Sequence, residues 1–273
     1  MKRLHCLSPQ PLWNYFEDIC QVPRPSKKEE KIIRFLLDFA EKNGLKASQD
    51  EIGNILIKKA ATSGRENDPV VILQSHVDMV CEKNSETQHN FETDAIKPFI
   101  DDGWVRAEGT TLGSDDGIGI AAQMAILTAT DLSHGPIECL FTVDEETGLS
   151  GAFALQPGFL SGQILLNLDS EDEGELFIGC AGGIDTIGTL NFTPEELPVG
   201  SFAAKLEVKG LQGGHSGDDI NKNRGNANKI LNRFLIAADK LFDLRIADFN
   251  GGNLRNAIAR EAFAVVVVPH SQK

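Results

Sequence analysis

The sequence lacks three things: a cysteine pair, a long apolar run and an excess of basic charge. Its five cysteines (Cys6, Cys20, Cys81, Cys139 and Cys180) stand at long, irregular spacings with no C-x-x-C among them. That pattern argues against a thiolate zinc site. The odd count reads as reduced thiols in a cytoplasmic chain. None sits at a helix start or beside clustered cations, the settings that mark a thiolate nucleophile. The longest apolar run, Ala262 to Val268, is far short of the ~20 residues a membrane span needs. The basic start Met-Lys-Arg has no apolar stretch behind it, so it does not read as a signal peptide. Lys plus Arg is 26 against 40 Asp plus Glu, for a net charge of −14 over 273 residues. Nucleic acids and anionic membrane surfaces both call for clustered Lys and Arg, so neither is an expected partner. With 41% hydrophobic residues the chain has the balance of a globular protein, long enough for one large or two ordinary domains. The acidic excess reads as solubility, or as carboxylates converging on metal cations.

Hydropathy patterning predicts an alternation of helices and strands. A helix runs over 12–20. Ser26 is placed to cap a second helix, with Glu29 as its capping-box partner, ending near Gly44. Residues 53–57 form a short strand, and 61–69 a surface loop. Val70 to Leu73 is a β-branched apolar run of the kind found in buried parallel strands. Residues 82–103 look irregular, and 105–108 form a short strand. A Gly113–Gly117 turn opens a helix over 118–129. Two further buried strands are expected at 137–143 and 164–168. Beyond a boundary near Gly182-Gly183 the pattern changes: 203–208 alternates, 226–242 is an amphipathic helix, and 244–247 and 262–268 are strands.

Three of these strands end directly in metal-competent side chains: His76 and Asp78, then Glu145 and Glu146, then Asp169. Open α/β sheets bind ligands at the carboxyl ends of their strands, so parallel pairing would gather these groups at one edge. Asp115, at a helix start, is placed to join them. Imidazole and carboxylates suit zinc and related ions. Two ions sharing a bridging carboxylate acidify a water between them and steady an oxyanion. A further carboxylate must carry the proton to the leaving amine. Glu145 and Glu146 are able to divide those tasks, and Asp78 is placed to orient His76. Each residue also has a plainer reading. Asp115 is a fair helix cap and Asp116 is able to exchange roles with it. Adjacent glutamates suit a solvated turn, as does most of the acidic run after Asp169. Gly117-Ile118-Gly119 is too short for a dinucleotide fingerprint. Ser216 lacks the strand–turn–helix setting of a hydrolase nucleophile.

The strings His76-Val77-Asp78, Gly109–Gly117, Asp144–Gly148 and Asn167–Glu171 resemble the motifs of the two-zinc metallopeptidases. The likeness is strongest to the bacterial aminoacyl-histidine (Xaa-His) dipeptidases. Supporting strings are 7–13, 179–185, 210–217 and 250–258. The resemblance implies an α/β catalytic domain, with a mixed, mainly parallel sheet flanked by helices, over 1–183. A partial α+β lid or dimerisation domain follows over 184–273. It implies zinc-dependent hydrolysis of dipeptides in the cytoplasm, with two Zn2+ per chain (Mn2+ or Co2+ suit the same ligands) and a homodimer formed through the lid. Residue by residue, His76 and Asp169 would hold one ion, Asp115 would bridge, and Glu146 would hold the second. Glu145 would be general base and acid, and Asp78 would orient His76. His215 matches a lid histidine that steadies the reacting carbonyl, and Asn256 a lid residue that contacts substrate. Members of that group continue beyond the point where this sequence stops, to a further histidine ligand. His270 does not sit in that motif. The resemblance therefore leaves three expectations: a Xaa-His dipeptidase, a related peptidase or aminoacylase with another substrate, or a weakly active or silent metal-binding fragment.

Overall fold

The computed structural model describes residues 3–84, 86–170, 172–180 and 182–272. Glu171 and Ala181, which fall within two of the motif strings, lie outside the described residues. The chain divides into two compact units, Met1–Ala181 and Gly182–Lys273. Among the described residues no helix is long and apolar enough to cross a membrane.

The first unit is a five-stranded sheet with helices packed on it. In chain order its elements are α1 (Gln10–Ile19), α2 (Glu30–Lys42), β1 (Lys46–Gln49), β2 (Ile55–Lys59) and β3 (Val71–His76), then the β4 (Pro98–Asp101) and β5 (Trp104–Ala107) hairpin. There follow α3 (Ser114–Thr128), β6 (Ile137–Thr142), the short helices α4 (Glu145–Gly148) and α5 (Ser150–Ala154), and β7 (Ile164–Asn167). The sheet order is β1-β2-β6-β3-β7. β3 runs parallel to both β6 and β7, while β1-β2 and β2-β6 are antiparallel. One sheet face sends Ile55, Ile57, Leu73, Cys139 and Phe141 into a core completed by Phe16 and Ile19 of α1, Ile32, Leu36 and Phe39 of α2, and Ile120 and Met124 of α3. Leu56, Ile72 and Leu140 point to the other face and are also buried. Burial on both faces explains why these strands read as continuous apolar runs.

Three expectations need correction. β7 is not a buried strand: Ile164, Leu165 and Leu166 are 45–48% exposed, because β7 is the sheet edge and, among the described residues, pairs only with β3. Residues 82–103 are not wholly irregular, since they contain β4. The Ser26–Glu29 capping box does not form. α2 starts one residue after Glu29, with no side-chain cap bond, and both side chains turn to other partners described below.

The second unit is an antiparallel sheet, β8 (Ser201–Val208), β9 (Arg245–Gly251) and β10 (Ala262–Pro269), in the order β8-β10-β9. Helix α6 (Ala227–Phe242) is capped by the Asn226 side chain, which accepts from the Lys229 amide. Its residues Ala227, Leu231, Leu235 and Ala238 form one buried stripe, as helical spacing requires. That stripe packs on Ala262, Ala264 and Val266, alternate residues of β10.

One buried charge ties the sheet together away from the strand ends that carry the motifs. Glu138 in β6 accepts from Lys58 Nζ at 2.6 Å, from the Ser161 hydroxyl and from the Ser161 and Gly162 amides. Burial works against its charge, but these donors prevail and hold the carboxyl down to about 2. A depressed carboxyl stabilises the fold fully above its ordinary value near 4.5 and loses that contribution as pH falls toward 2. Glu138→Gln is therefore expected to cost about 1–3 kcal/mol at pH 7, read by urea unfolding. The gap from the parent should close as pH drops below 4.5. An unchanged unfolding midpoint at pH 7 would contradict this role.

Candidate metal centre

Strand register brings the motif residues together. His76 pairs with Thr142, and Gln74 with Asn167, across the parallel ladder. The residues that follow each strand therefore emerge at one edge. The ladder is extended there by the Val77 amide on Thr142 O (2.8 Å) and the Leu168 amide on Gln74 O (2.9 Å). Asp115 arrives from the first turn of α3, where Asp115 and Asp116 are non-helical.

His76 is wholly buried at the centre of the cluster. Its Nε2 lies 2.8 Å from Asp115 Oδ1 and 3.6 Å from Asp169 Oδ1. Its Nδ1 is 3.3 Å from Asp78 Oδ1, an ion-pair separation without a formed hydrogen bond. Ligand-capable atoms of His76, Glu145 and Asp169 lie within 4.8 Å of one another, as do those of His76, Asp115 and Glu146. The donor set fits a divalent cation: one imidazole nitrogen aimed into carboxylate oxygens, with a carboxylate behind the ring. Both groups draw on the same imidazole. Among the described residues, two ions would thus have to divide the carboxylates between them.

The electrostatics are those of crowded like charges. Burial disfavours the charged His76 ring, yet Asp115, Asp169 and Asp78 outweigh it and push the ring up to about 12. The hydrogen bond from His76 holds Asp115 low. Burial raises Asp169, helped by repulsion from Asp115. Burial raises Glu145 as well, and together with repulsion from Asp115 it lifts Glu146 to about 7. Asp78 stays low despite its burial, through His76, the Ser26 hydroxyl and the Glu145 amide.

Asp78 does more than face the imidazole. Its Oδ1 accepts from the Glu145 amide (3.0 Å), and its Oδ2 from the Glu146 amide (3.2 Å) and the Ser26 hydroxyl (2.8 Å). It thus holds the backbone of both glutamates while backing His76. Asp144 precedes them at φ +50°, a left-handed conformation uncommon outside glycine. It is kept there by its amide bond to Glu29 Oε1 (3.1 Å) and by the Thr147 and Ser150 hydroxyls on its carboxylate. Glu29, Asp78 and Asp144 form a third acidic group, but hydrogen bonds engage both oxygens of Asp78 and of Asp144 and Oε1 of Glu29.

The roles of Asp115 and Asp116 are separated. Asp115 faces His76, while buried Asp116 accepts from the Gly119 amide (3.1 Å), as a helix-capping Asp does. Three contributors escaped the sequence reading: Glu29 and Ser26, read there as a cap, and Arg24, which binds the carbonyls of Val77, Asp78 and Gly113. The one sequence signal for Arg24 is a charge set between two prolines. His215 and Asn256 belong to the second unit and are juxtaposed there. The Ser216 amide donates to Asn256 O (2.8 Å), and His215 bridges to Ala257. His215 Nδ1 accepts from the Gly217 and Asp218 amides, which leaves Nε2 to carry the proton of the neutral ring.

A histidine and carboxylates converging on one point at an α/β sheet edge are the donor types that suit a divalent cation. Residues 72–228 match the peptidase family M20/M25/M40, and residues 199–272 match a peptidase dimerisation domain. The chain belongs to that M20/M25/M40 peptidase family. It is 51% identical over 268 residues to the cytosol non-specific dipeptidase of Escherichia coli (strain K12), covering 98% of this chain and 55% of that protein. The crystal structure of aminoacylhistidine dipeptidase from Vibrio alginolyticus is 49% identical with a TM-score of 0.66, again covering 98% of this chain and 55% of that one. A tripeptidase of Staphylococcus aureus shares the fold, at 22% identity and a TM-score of 0.51 over 94% of this chain and 65% of that one. The chain thus spans about half the length of the two more similar relatives.

A protonated His76 cannot ligate, so cation uptake must expel its proton. At pH 7 each first ion bound should release at least one proton, and affinity should rise with pH. Titration calorimetry in buffers of different ionisation enthalpy reads this directly. Uptake without proton release would mean that His76 is uncharged before the ion binds, or is not a ligand.

Proposed function

We propose that the chain carries the metal centre of a dipeptidase that hydrolyses unblocked dipeptides, preferably Xaa-His substrates such as beta-alanyl-histidine. The observation that carries this is the convergence of His76, Asp115, Glu145, Glu146 and Asp169 on one strand edge of an M20/M25/M40 chain. The names of the two relatives at about half identity support the dipeptide, and one of them supports the C-terminal histidine. In this reading His76 and Asp169 hold one ion, Asp115 is shared, and Glu146 holds the second. Zinc is the expected metal, with manganese and cobalt as alternatives. Bound there, a divalent ion supplies Lewis acidity that acidifies a water and polarises the scissile carbonyl.

The chain's own residues do the rest. Glu145 takes the proton from the attacking water and hands it to the departing amine. Burial raises its carboxyl, which strengthens it as a base for that transfer. Asp78 keeps the His76 ring oriented and, through two backbone amides, keeps Glu145 and Glu146 aimed at the same point. His215 presents Nε2–H as a donor for the reacting carbonyl, and Asn256 contacts the substrate. The match to a dimerisation domain supports a homodimer, and the cytosolic relative supports the same location. A second reading, a metal-binding chain with little turnover, is favoured by the one imidazole that both ligand groups share.

Glu145→Ala is expected to lower hydrolysis of a Xaa-His dipeptide by about 10²–10⁴-fold, while elemental analysis finds the parent's metal content. Loss of metal instead would reverse the roles of Glu145 and Glu146. Bound metal with no hydrolysis by the parent would select the second reading.

A further inference from the structure

We propose that Arg24 is a positioning residue of this centre: its guanidinium sets the spacing between the segment bearing His76 and Asp78 and the segment bearing Asp115. The inference rests on the metal reading above. Arg24 is 3% exposed, in the loop between α1 and α2. Its Nη1 donates to Val77 O (3.1 Å) and Asp78 O (2.7 Å), and its Nη2 donates to Gly113 O. The two segments it joins are the exit of β3 and the entry to α3. An isolated antiparallel bridge, Lys83 with Thr110, and the Thr111 amide on Glu82 O (2.8 Å) join the same two stretches farther along. The three guanidinium bonds link them next to Asp78 and Asp115. A planar fork spans three carbonyls at fixed angles, which the single ammonium of a lysine cannot reproduce.

The glycines around Asp115 fit the same arrangement. A Cβ at Gly113 would come within 2.6 Å of Arg24 Nη2, and one at Gly117 within 2.7 Å. Both ends of the Asp115 turn thus lie in contact with the guanidinium, and glycine at 113 and 117 makes room for it. Gly113 also adopts φ +70°, a conformation glycine takes without strain. The neighbours of Arg24 extend the brace. Ser26 donates to Asp78 Oδ2 and Glu29 accepts from the Asp144 amide. One loop therefore reaches three of the four segments that carry the proposed ligands, those of His76, Asp115 and Glu145-Glu146. Partners that hold ligands in place, without touching the metal, are worth about 10–100-fold in affinity.

The test is cobalt binding by the parent chain, Arg24→Lys and Glu138→Gln, read as a dissociation constant and as the visible Co2+ absorption band, with urea unfolding alongside. Glu138→Gln serves as a variant destabilised through the same sheet but away from the site. Arg24→Lys is expected to weaken cobalt binding about 10–100-fold and to shift the band, while Glu138→Gln keeps both parental values. Should Arg24→Lys fail to fold, Gly117→Ala presses a methyl against Nη2 while keeping the charge, and the same weakening is expected. Parental affinity and band in the folded Arg24 variant, or in Gly117→Ala in its place, would overturn the inference and leave the metal site standing. A parent that binds no cobalt would overturn the metal reading itself, and this inference with it.

Discussion

Five carboxylates crowd one buried imidazole at the carboxyl edge of the sheet, and like charges at such separations repel. In the absence of a cation, protons relieve the repulsion: His76 is held charged, Glu146 rises to about 7 and Asp169 also rises. A compact fold keeps so unfavourable a cluster only if something else over-determines its geometry. Here the parallel β3-β6-β7 register does so first, by delivering three strand ends to one place. Hydrogen bonds to backbone do so next. Asp78 holds the amides of Glu145 and Glu146, and Glu29 holds that of Asp144 in its left-handed conformation. Arg24 brings a buried positive charge close to Asp78 and Asp116.

Nucleophile chemistry by thiol has no support in this environment. Cys20 and Cys139 are pushed up to about 12 by burial and Cys81 to about 11, so none supplies a thiolate at neutral pH. Burial raises carboxylates here instead, Glu146 to about 7 and Asp116 to about 8, and Glu145 also upward. Raised carboxylates suit proton transfer to and from water.

Much of the fold was legible because apolar runs and helical stripes answer directly to burial. The doubly buried strands β2, β3 and β6 read as apolar runs, and α6 as an amphipathic stripe starting at Asn226, its cap. β1 and β4 were not legible. β1 is Lys-Ala-Ser-Gln, exposed at every position, and β4 is a four-residue partner of β5 that starts with proline. β7 was legible as a strand but not as an edge, since Ile-Leu-Leu states apolarity and not what covers it. The candidate site was legible as residue types at strand ends, and the structure brings His76, Asp78, Asp115, Glu145, Glu146 and Asp169 together. The bracing was not. Ser26 and Glu29 have the spacing of a capping box, and only tertiary packing reveals that Asp78 and Asp144 claim them. Likewise, nothing local separates Asp115 from Asp116. The distinction comes from which carboxylate reaches His76 and which stays at the helix start.

Anomalous diffraction from crystals of the chain grown with zinc, collected on both sides of the zinc absorption edge, tests the central claim most directly. The account predicts an anomalous peak about 2 Å from His76 Nε2, in contact with Asp115 and Asp169, with His76 Nδ1 still facing Asp78. Density in which His76 Nε2 remains hydrogen-bonded to Asp115, with no anomalous peak between them, would contradict it.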